Sequence, residues 1–107
     1  YIEGKLDLNR HLIKHPAATF FVRVTGHSMT GAGIHSGDLL IVDRSLEPTD
    51  GHVVVAVLDG ELTVKRLQMG HGVTRLLAEN PLYRPIEITE QQTIEIWGVV
   101  TNVIHPL

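Results

Sequence analysis

The chain has 107 residues, of which 43% are hydrophobic and 20% are charged, and it contains no cysteine. This length suffices for one hydrophobic core and is short for two, so we expect a single domain over residues 1–107. The net charge of −3 lacks the excess of lysine and arginine that phosphate contacts require, which argues against direct nucleic-acid binding. Without cysteine the chain can form neither a disulfide nor a thiolate metal site.

The sequence lacks the patterns of a membrane segment and of a secretory signal. No apolar run approaches the roughly 20 residues that span a bilayer, and no basic start precedes an apolar stretch. We therefore expect a cytoplasmic protein that does not associate with membranes. The first residue is Tyr1 rather than methionine, so we expect that further sequence precedes it.

Strand patterns dominate the chain after one short helix. Asp7 can cap a helix that begins at Leu8, and Pro16 prevents its continuation. The apolar runs "LLIVD" and "HVVVAVL" are typical of strands that are buried on both faces. The predicted fold class is all-β with a short N-terminal helix and strongly coiled antiparallel sheets. Further strands are predicted over residues 19–25, 73–78, 86–88 and 93–104.

The Asp-Gly dipeptide at 59–60 predicts a two-residue hairpin turn, because both central residues of such turns need positive φ angles. Counting back along both arms places Val54 opposite Lys65. Lys65 then shares a face with apolar residues, while Arg66 points to the other side of the sheet.

Two interpretations of Lys65 follow from this register. In the ordinary one, its methylenes rest on the apolar surface and its ammonium reaches water. In the other, the amine loses hydration, which lowers its pKa and makes a neutral base available. Arg66 cannot take that role, because a guanidinium keeps its proton at every accessible pH.

Ser28 lies in a glycine-rich loop, "GHSMTGAGIHSGD". A loop serine usually satisfies a turn, whereas a nucleophilic serine needs a base that removes its proton. The G-x-S-x-G elbow of α/β-hydrolases is absent because Thr30 replaces its second glycine, and an S-x-x-K site is absent because position 31 is glycine. A Ser-His-Asp triad stays open, since the chain contains seven histidines.

Other polar and aromatic residues receive structural interpretations. His11 and His15 have helical spacing, but no third metal ligand with suitable spacing is apparent, so we expect no metal and no cofactor. Asp38 and Asp43 flank "LLIV", where turn-capping aspartates are common. Trp97 is expected to be exposed or to pack on a partner subunit.

Four segments resemble, in order and spacing, the peptidase domain of the LexA/UmuD family of self-cleaving Ser-Lys peptidases: "GHSM", "GDLLIVD", "VVVAVLDGELTVKRL" and "LLAENP". The resemblance covers nearly the whole chain and is closest to the processed, arm-less form of UmuD and its plasmid-borne relatives. It implies an all-β fold of the LexA/signal-peptidase type. It also implies that Ser28 is the nucleophile, that Lys65 is the general base, and that the main-chain N–H groups of Ser28 and His27 bind the oxyanion.

The resemblance also implies partners and a reaction. Family members form homodimers, take part in the DNA-damage response, and cut a Cys-Gly or Ala-Gly bond in their own N-terminal arm when RecA filaments on single-stranded DNA promote it. The only Ala-Gly pair in this chain, at 32–33, lies within the loop of Ser28, so we expect the cleaved bond to lie outside these residues. The shortened dimer would join the catalytic subunit of a translesion polymerase. The alternative is the C-terminal autocleavage and dimerisation domain of a LexA-like or phage repressor.

Overall fold

The computed structural model describes residues 2–107 and begins with one short helix. Helix α1 covers Leu8–Leu12, and the carboxylate of Asp7 caps it by accepting hydrogen bonds from two main-chain N–H groups of the first turn. A 3₁₀ turn over Pro16–Ala18 follows. This confirms the short N-terminal helix. In the part of the chain that is described, no helix is long and apolar enough to cross a membrane.

One antiparallel sheet of seven strands makes up most of the molecule, which confirms the all-β prediction. The strands are β1 (Thr19–Arg23), β2 (Leu39–Asp43), β3 (Val53–Leu58), β4 (Glu61–Gly70), β5 (Val73–Leu77), β6 (Ile86–Glu87) and β7 (Ile94–Ile104). Their order across the sheet is β1-β2-β7-β3-β4-β5-β6. The buried strands β2 and β3 correspond to the two continuous apolar runs of the sequence.

The hairpin between β3 and β4 has the predicted turn and register. Asp59 and Gly60 both have positive φ angles, of 49° and 84°. Val54 lies opposite Lys65 in the ladder. The side chain of Lys65 therefore starts from the sheet face on which Val54 is fully buried.

Strand β1 is two residues shorter than predicted. Val24 still makes main-chain hydrogen bonds, donating to the carbonyl of Asp38 at 2.9 Å and accepting from Gly37 at 2.8 Å. These partners lie in the turn before β2 rather than in β2 itself, so the regular ladder ends at Arg23. Beyond the end of this ladder, the chain continues into the loop that lines the cleft described below.

Strand β7 connects the two halves of the sheet and changes register on both sides. Against β3 the pairing skips Trp97, and against β2 it skips Thr101. Bulges of this kind bend a strand and increase the local twist. The coiled sheet brings β1 and the first half of β4 to one cleft, although three strands separate them in the order.

The core consists of two clusters of buried apolar side chains, and neighbouring residues of β3 belong to different clusters. Val55 packs in the first cluster, whereas Val54 belongs to the second. The first cluster also contains Val24 and Met29, which lie on either side of the turn that precedes Ser28. The loop of Ser28 is therefore anchored in the core at both ends.

Candidate active site

Ser28 lies in the loop between β1 and β2, which turns sharply on both sides of it. Gly26 and Gly33 have φ angles of 94° and 80°, which glycine adopts at little cost. A 3₁₀ turn over Thr30–Ala32 lies between Ser28 and Gly33. Met29 is only 2% exposed, so the residue next to Ser28 holds the loop against the core while Ser28 stays partly accessible.

Lys65 is buried without a charged partner. Residue 65 is 8% exposed, and the ion pairs of the described residues do not include it. Desolvation by burial lowers the pKa of Lys65 below its ordinary value of 10.5. Burial thus shifts the protonation equilibrium of Lys65 toward the neutral amine, and no ion pair in the described residues opposes this shift.

The amine of Lys65 meets the hydroxyl of Ser28. The Nζ atom lies 3.0 Å from Ser28 Oγ, 2.8 Å from Thr63 Oγ1 and 3.2 Å from the carbonyl oxygen of Val64. A neutral amine has two N–H donors and one lone pair. Donation to Thr63 and Val64 uses both N–H groups, which leaves the lone pair to accept the hydrogen of the Ser28 hydroxyl. This arrangement can place a serine proton on a base.

Ser28 and Lys65 line one open cleft with a volume of about 390 Å³. Residues 22–29 form one wall, and residues 62–65 contribute to the other. The volume lies within the range of ligand-binding clefts. A peptide segment can therefore reach the serine hydroxyl from solvent.

His27 and Ser28 carry the main-chain N–H groups predicted to bind an oxyanion. Both residues line the cleft. Among the hydrogen bonds found for residues 2–107, none has either of these N–H groups as its donor. Their role as oxyanion donors stays a prediction.

Two residues that the sequence did not assign to the site hold the loop of Ser28. The main chain of Glu79 donates to the carbonyl of Ser28 at 2.8 Å and accepts from the N–H of Gly31 at 2.7 Å. The Asn80 side chain donates to the carbonyl oxygen of His27 at 2.8 Å. Their only signal in the sequence was the segment "LLAENP", which contributed to the family resemblance.

Arg66 fixes the segment that contains Glu79. Its Nε atom donates to Glu79 Oε1 at 2.5 Å, and its Nη1 atom donates to the carbonyl of Gly51 at 2.6 Å. A Cβ atom at Gly31 would lie 2.5 Å from the carbonyl oxygen of Glu79, so glycine is needed for this close approach. Side chains alternate between the two faces of β4. Lys65 therefore lies in the cleft, whereas Arg66 binds the segment that supports the loop of Ser28.

Among the described residues, Ser28 is not part of a hydrogen-bonded Ser-His-Asp triad. The Ser28 hydroxyl has a hydrogen bond with Lys65, and no histidine contacts it. The two buried aspartates lie elsewhere and pair with other histidines. Asp43 lies 2.5 Å from a ring nitrogen of His15.

Asp38 and Asp43 have the turn-capping role that the sequence favoured. Asp38 accepts a hydrogen bond from the main chain of His35, and Asp43 accepts hydrogen bonds from the main chain and hydroxyl of Ser45. Burial alone would raise the pKa of both carboxyls, but these hydrogen bonds and the neighbouring histidines hold the pKa of each below its ordinary value. Neither carboxylate contacts Ser28.

His11 and His15 do not belong to a group of three or more potential metal ligands among the described residues. Both histidines line a small cleft beside Asp43, but the His and Asp groups of the described residues that are close enough to share an ion do not include them.

Trp97 packs within its own chain, whereas the sequence predicted an exposed or partner-bound side chain. Its ring lies 5.3 Å from that of Phe20, in an edge arrangement. The Arg44 guanidinium lies 4.6 Å from the ring centre. Strand alternation could not reveal these contacts, because β1, β2 and β7 are distant in sequence.

Comparisons with known proteins identify the family of this chain. The family model of Peptidase S24-like proteins matches residues 1–101. The chain is 50% identical over 105 residues to Protein SamA of Salmonella typhimurium, an alignment that covers 98% of this chain and 72% of SamA. It is 39% identical over 117 residues to Protein MucA of Escherichia coli, covering 100% of this chain and 75% of MucA. It is 44% identical over 106 residues to the LexA repressor of Erwinia tasmaniensis, covering 98% of this chain and 52% of that repressor.

The all-β fold, the cleft serine and these relatives define a serine peptidase of the self-cleaving class. The chain belongs to the Peptidase S24-like family, which confirms its resemblance to the LexA/UmuD family.

Proposed function

We propose that this chain is the peptidase domain of an UmuD-like SOS mutagenesis protein and that Ser28 and Lys65 form its catalytic dyad. The observation that carries the dyad is the 3.0 Å separation of Lys65 Nζ and Ser28 Oγ. The lowered pKa of the buried lysine supports its use as a base. The substrate is a Cys-Gly or Ala-Gly bond in an N-terminal arm outside these residues.

The reaction proceeds by acyl transfer. Neutral Lys65 takes the hydroxyl proton of Ser28 while Oγ attacks the scissile carbonyl carbon, and the main-chain N–H groups of His27 and Ser28 stabilise the oxyanion. When the tetrahedral intermediate collapses, the C–N bond breaks and Lys65 gives its proton to the leaving amine. Water then attacks the acyl-serine, with Lys65 again accepting a proton and returning it to Oγ.

The dyad can be tested by labelling with a fluorophosphonate probe and locating the label by mass spectrometry. We expect label on Ser28, with a rate that rises with pH and reaches half its maximum below pH 10.5, because only the neutral amine is a base. Lys65→Ala should slow labelling at least about 100-fold. Lys14→Ala, which changes an exposed lysine, is the matched control.

Two results would overturn the dyad. One is a labelling rate that Lys65→Ala leaves unchanged. The other is label on a residue other than Ser28. An N-terminal extension containing an Ala-Gly bond should also be cut when fused to the chain, and Ser28→Ala should abolish that cut.

Beyond self-cleavage, we propose that the shortened form acts in the cytoplasm as a homodimer bound to the catalytic subunit of an error-prone translesion polymerase, after RecA filaments have promoted cleavage. The similarity to SamA and MucA favours this role. The similarity to a LexA repressor favours a second candidate, the C-terminal domain of a repressor.

Copurification distinguishes these two candidates. We expect the chain to copurify with a translesion polymerase subunit from the same cells, and Ser28→Ala should leave this binding unchanged. If the chain forms dimers but copurifies with no polymerase subunit, the accessory role is wrong and the repressor candidate takes its place.

A further inference from the structure

Three side chains outside the cleft converge at one end of β2. Asp38 Oδ1 lies 2.5 Å from His105 Nδ1, and Asp38 Oδ2 lies 3.8 Å from His35 Nδ1. The ring centres of His35 and His105 are 5.1 Å apart. One potential ligand atom from each residue lies within 4.8 Å of the other two.

Burial differs among the three side chains in a way that suits a bound cation. The Asp38 side chain is 2% exposed, whereas those of His35 and His105 are 50% and 49% exposed. The Asp38 carboxylate accepts a hydrogen bond from the main-chain N–H of His35 and forms a second hydrogen bond with the ring of His105. A buried carboxylate thus lies beside two half-exposed imidazoles.

We propose that His35, Asp38 and His105 form a site for one divalent transition-metal ion of the zinc type. Two imidazole nitrogens and one carboxylate oxygen favour Zn²⁺ over Mg²⁺ or Ca²⁺, which prefer all-oxygen sites. Tetrahedral zinc with bonds of about 2.0–2.1 Å separates its ligand atoms by about 3.3 Å. The distance from Asp38 Oδ1 to His105 Nδ1, 2.5 Å, is shorter than this value, and the distance from Asp38 Oδ2 to His35 Nδ1, 3.8 Å, is longer. Both rings therefore have to shift slightly to bind one ion together with a single Asp38 oxygen.

Binding exchanges a proton for the ion. In the metal-free chain, a hydrogen bond joins His105 Nδ1 and Asp38 Oδ1. The ion takes the place of the hydrogen between these atoms. A neutral His105 ring keeps one proton, which moves through solvent from Nδ1 to Nε2, whereas a protonated ring releases one proton to solvent. The half-exposed His35 ring turns to supply its nitrogen. Metal affinity therefore falls as the pH falls, because protons compete for the same ligand atoms.

The site would join two distant parts of the chain next to the cleft. His35 and Asp38 belong to the loop that contains Ser28, and His105 follows the end of β7. The carbonyl oxygen of Asp38 accepts the main-chain N–H of Val24, which lines the cleft wall. A bound ion would thus stabilise the loop without contacting the dyad, and its binding does not depend on the proposed peptidase activity.

Isothermal titration calorimetry, with zinc titrated into chelator-treated protein, tests the site. We expect one Zn²⁺ per chain and no binding of Mg²⁺ or Ca²⁺. His105→Gln can still donate a hydrogen bond to Asp38 but loses the imidazole, and should weaken zinc binding at least about tenfold. His35→Ala should do the same without removing a side-chain hydrogen bond to Asp38, since the ring is 3.8 Å away.

The pair of His15 and Asp43 provides the matched control. Its ring nitrogen and carboxylate oxygen are also 2.5 Å apart, but this pair lies outside the cluster of potential ligands in the described residues. His15→Gln should therefore leave zinc affinity unchanged. At one zinc concentration, zinc should raise the Tm of the unchanged chain and of His15→Gln equally, and that of His105→Gln less.

The proposal is overturned if the chelator-treated chain binds no zinc. It is also overturned if His35→Ala and His105→Gln bind zinc like the unchanged chain, or if His15→Gln weakens binding as much as they do. Melting curves without metal show whether each variant folds, and His35→Ala keeps the test decisive if His105→Gln does not.

Discussion

The burial of Lys65 has opposite effects on chemistry and on stability. Desolvation lowers its pKa and so supplies the neutral amine that the proposed reaction needs. The same desolvation stabilises the unfolded chain relative to the folded one, because the unfolded state binds the proton more tightly. Activity and stability therefore make different demands on one side chain.

Lys65→Met should raise the Tm near neutral pH, because it removes an ammonium group that folding desolvates. The folded pKa lies below the unfolded value of 10.5, so the penalty is complete below the folded pKa and disappears as the pH rises toward 10.5. The Tm difference between Lys65→Met and the unchanged chain should therefore shrink over this range. Melting curves recorded at increasing pH measure it.

The control for this comparison is Lys5→Met, which changes an exposed lysine. Lys5→Met should change the Tm only slightly, and this Tm difference should not shrink with rising pH as the difference for Lys65→Met does. A Tm difference for Lys65→Met that stays constant up to pH 10.5 would contradict the desolvation argument.

At the scale of elements, β7 determines how far the sheet coils. Its two register shifts lie on either side of Gly98 and Val100. Gly98 packs against Val42 of β2, because a Cβ atom at this position would lie 2.6 Å from Cγ1 of Val42. The close approach leaves no room for a side chain.

Gly98→Ala should destabilise the chain by about 1–3 kcal/mol, the usual cost of an overpacked core position. Urea denaturation measures this as a lower midpoint. Gly70→Ala is the matched control, because Gly70 also lies in a strand but a Cβ atom there meets nothing within 4 Å. Equal midpoints for the two variants would show that Val42 can move aside at little cost.

The elements that could be predicted from sequence are those determined by residues that lie close together along the chain. The Asp59-Gly60 turn fixes the register of Lys65 because turn and lysine lie on one hairpin. The support of Ser28 by Glu79 could not be predicted in this way, because it joins main-chain groups from distant segments and leaves no residue pattern. The dyad itself became a prediction only through the family resemblance.

At the scale of the whole molecule, two histidine–aspartate pairs tie the segments near both ends of the described chain to β2. His15 contacts Asp43 at the last residue of β2, and His105 contacts Asp38 just before its first residue. Both contacts bury a carboxylate. The two ends of β2 therefore hold the segment around His15 and the segment that follows β7 in place.

Acid should weaken this arrangement. The folded pKa values of Asp38 and Asp43 lie below their ordinary value of 3.8, so their contribution to stability is complete above pH 3.8 and is lost as the pH falls through the folded values. The Tm of metal-free protein should fall steeply in that range. Asp38→Asn should flatten this fall, and Glu3→Gln, at an exposed position, should not. A fall that Asp38→Asn leaves unchanged would contradict the prediction.

The two walls of the cleft, to which β1 and the first half of β4 contribute, also affect how a peptide is recognised. β1 lies at one edge of the sheet, and β4 pairs with β5 only from Arg66 onward. An extended peptide between these strands can exchange main-chain hydrogen bonds with both, so its backbone supplies the polar contacts whatever its side chains are. Weak binding to such a cleft would suffice for the proposed substrate on the same chain, because a short tether alone provides a millimolar effective concentration. The selectivity for a substrate then comes from its attachment to the same chain more than from its affinity for the cleft.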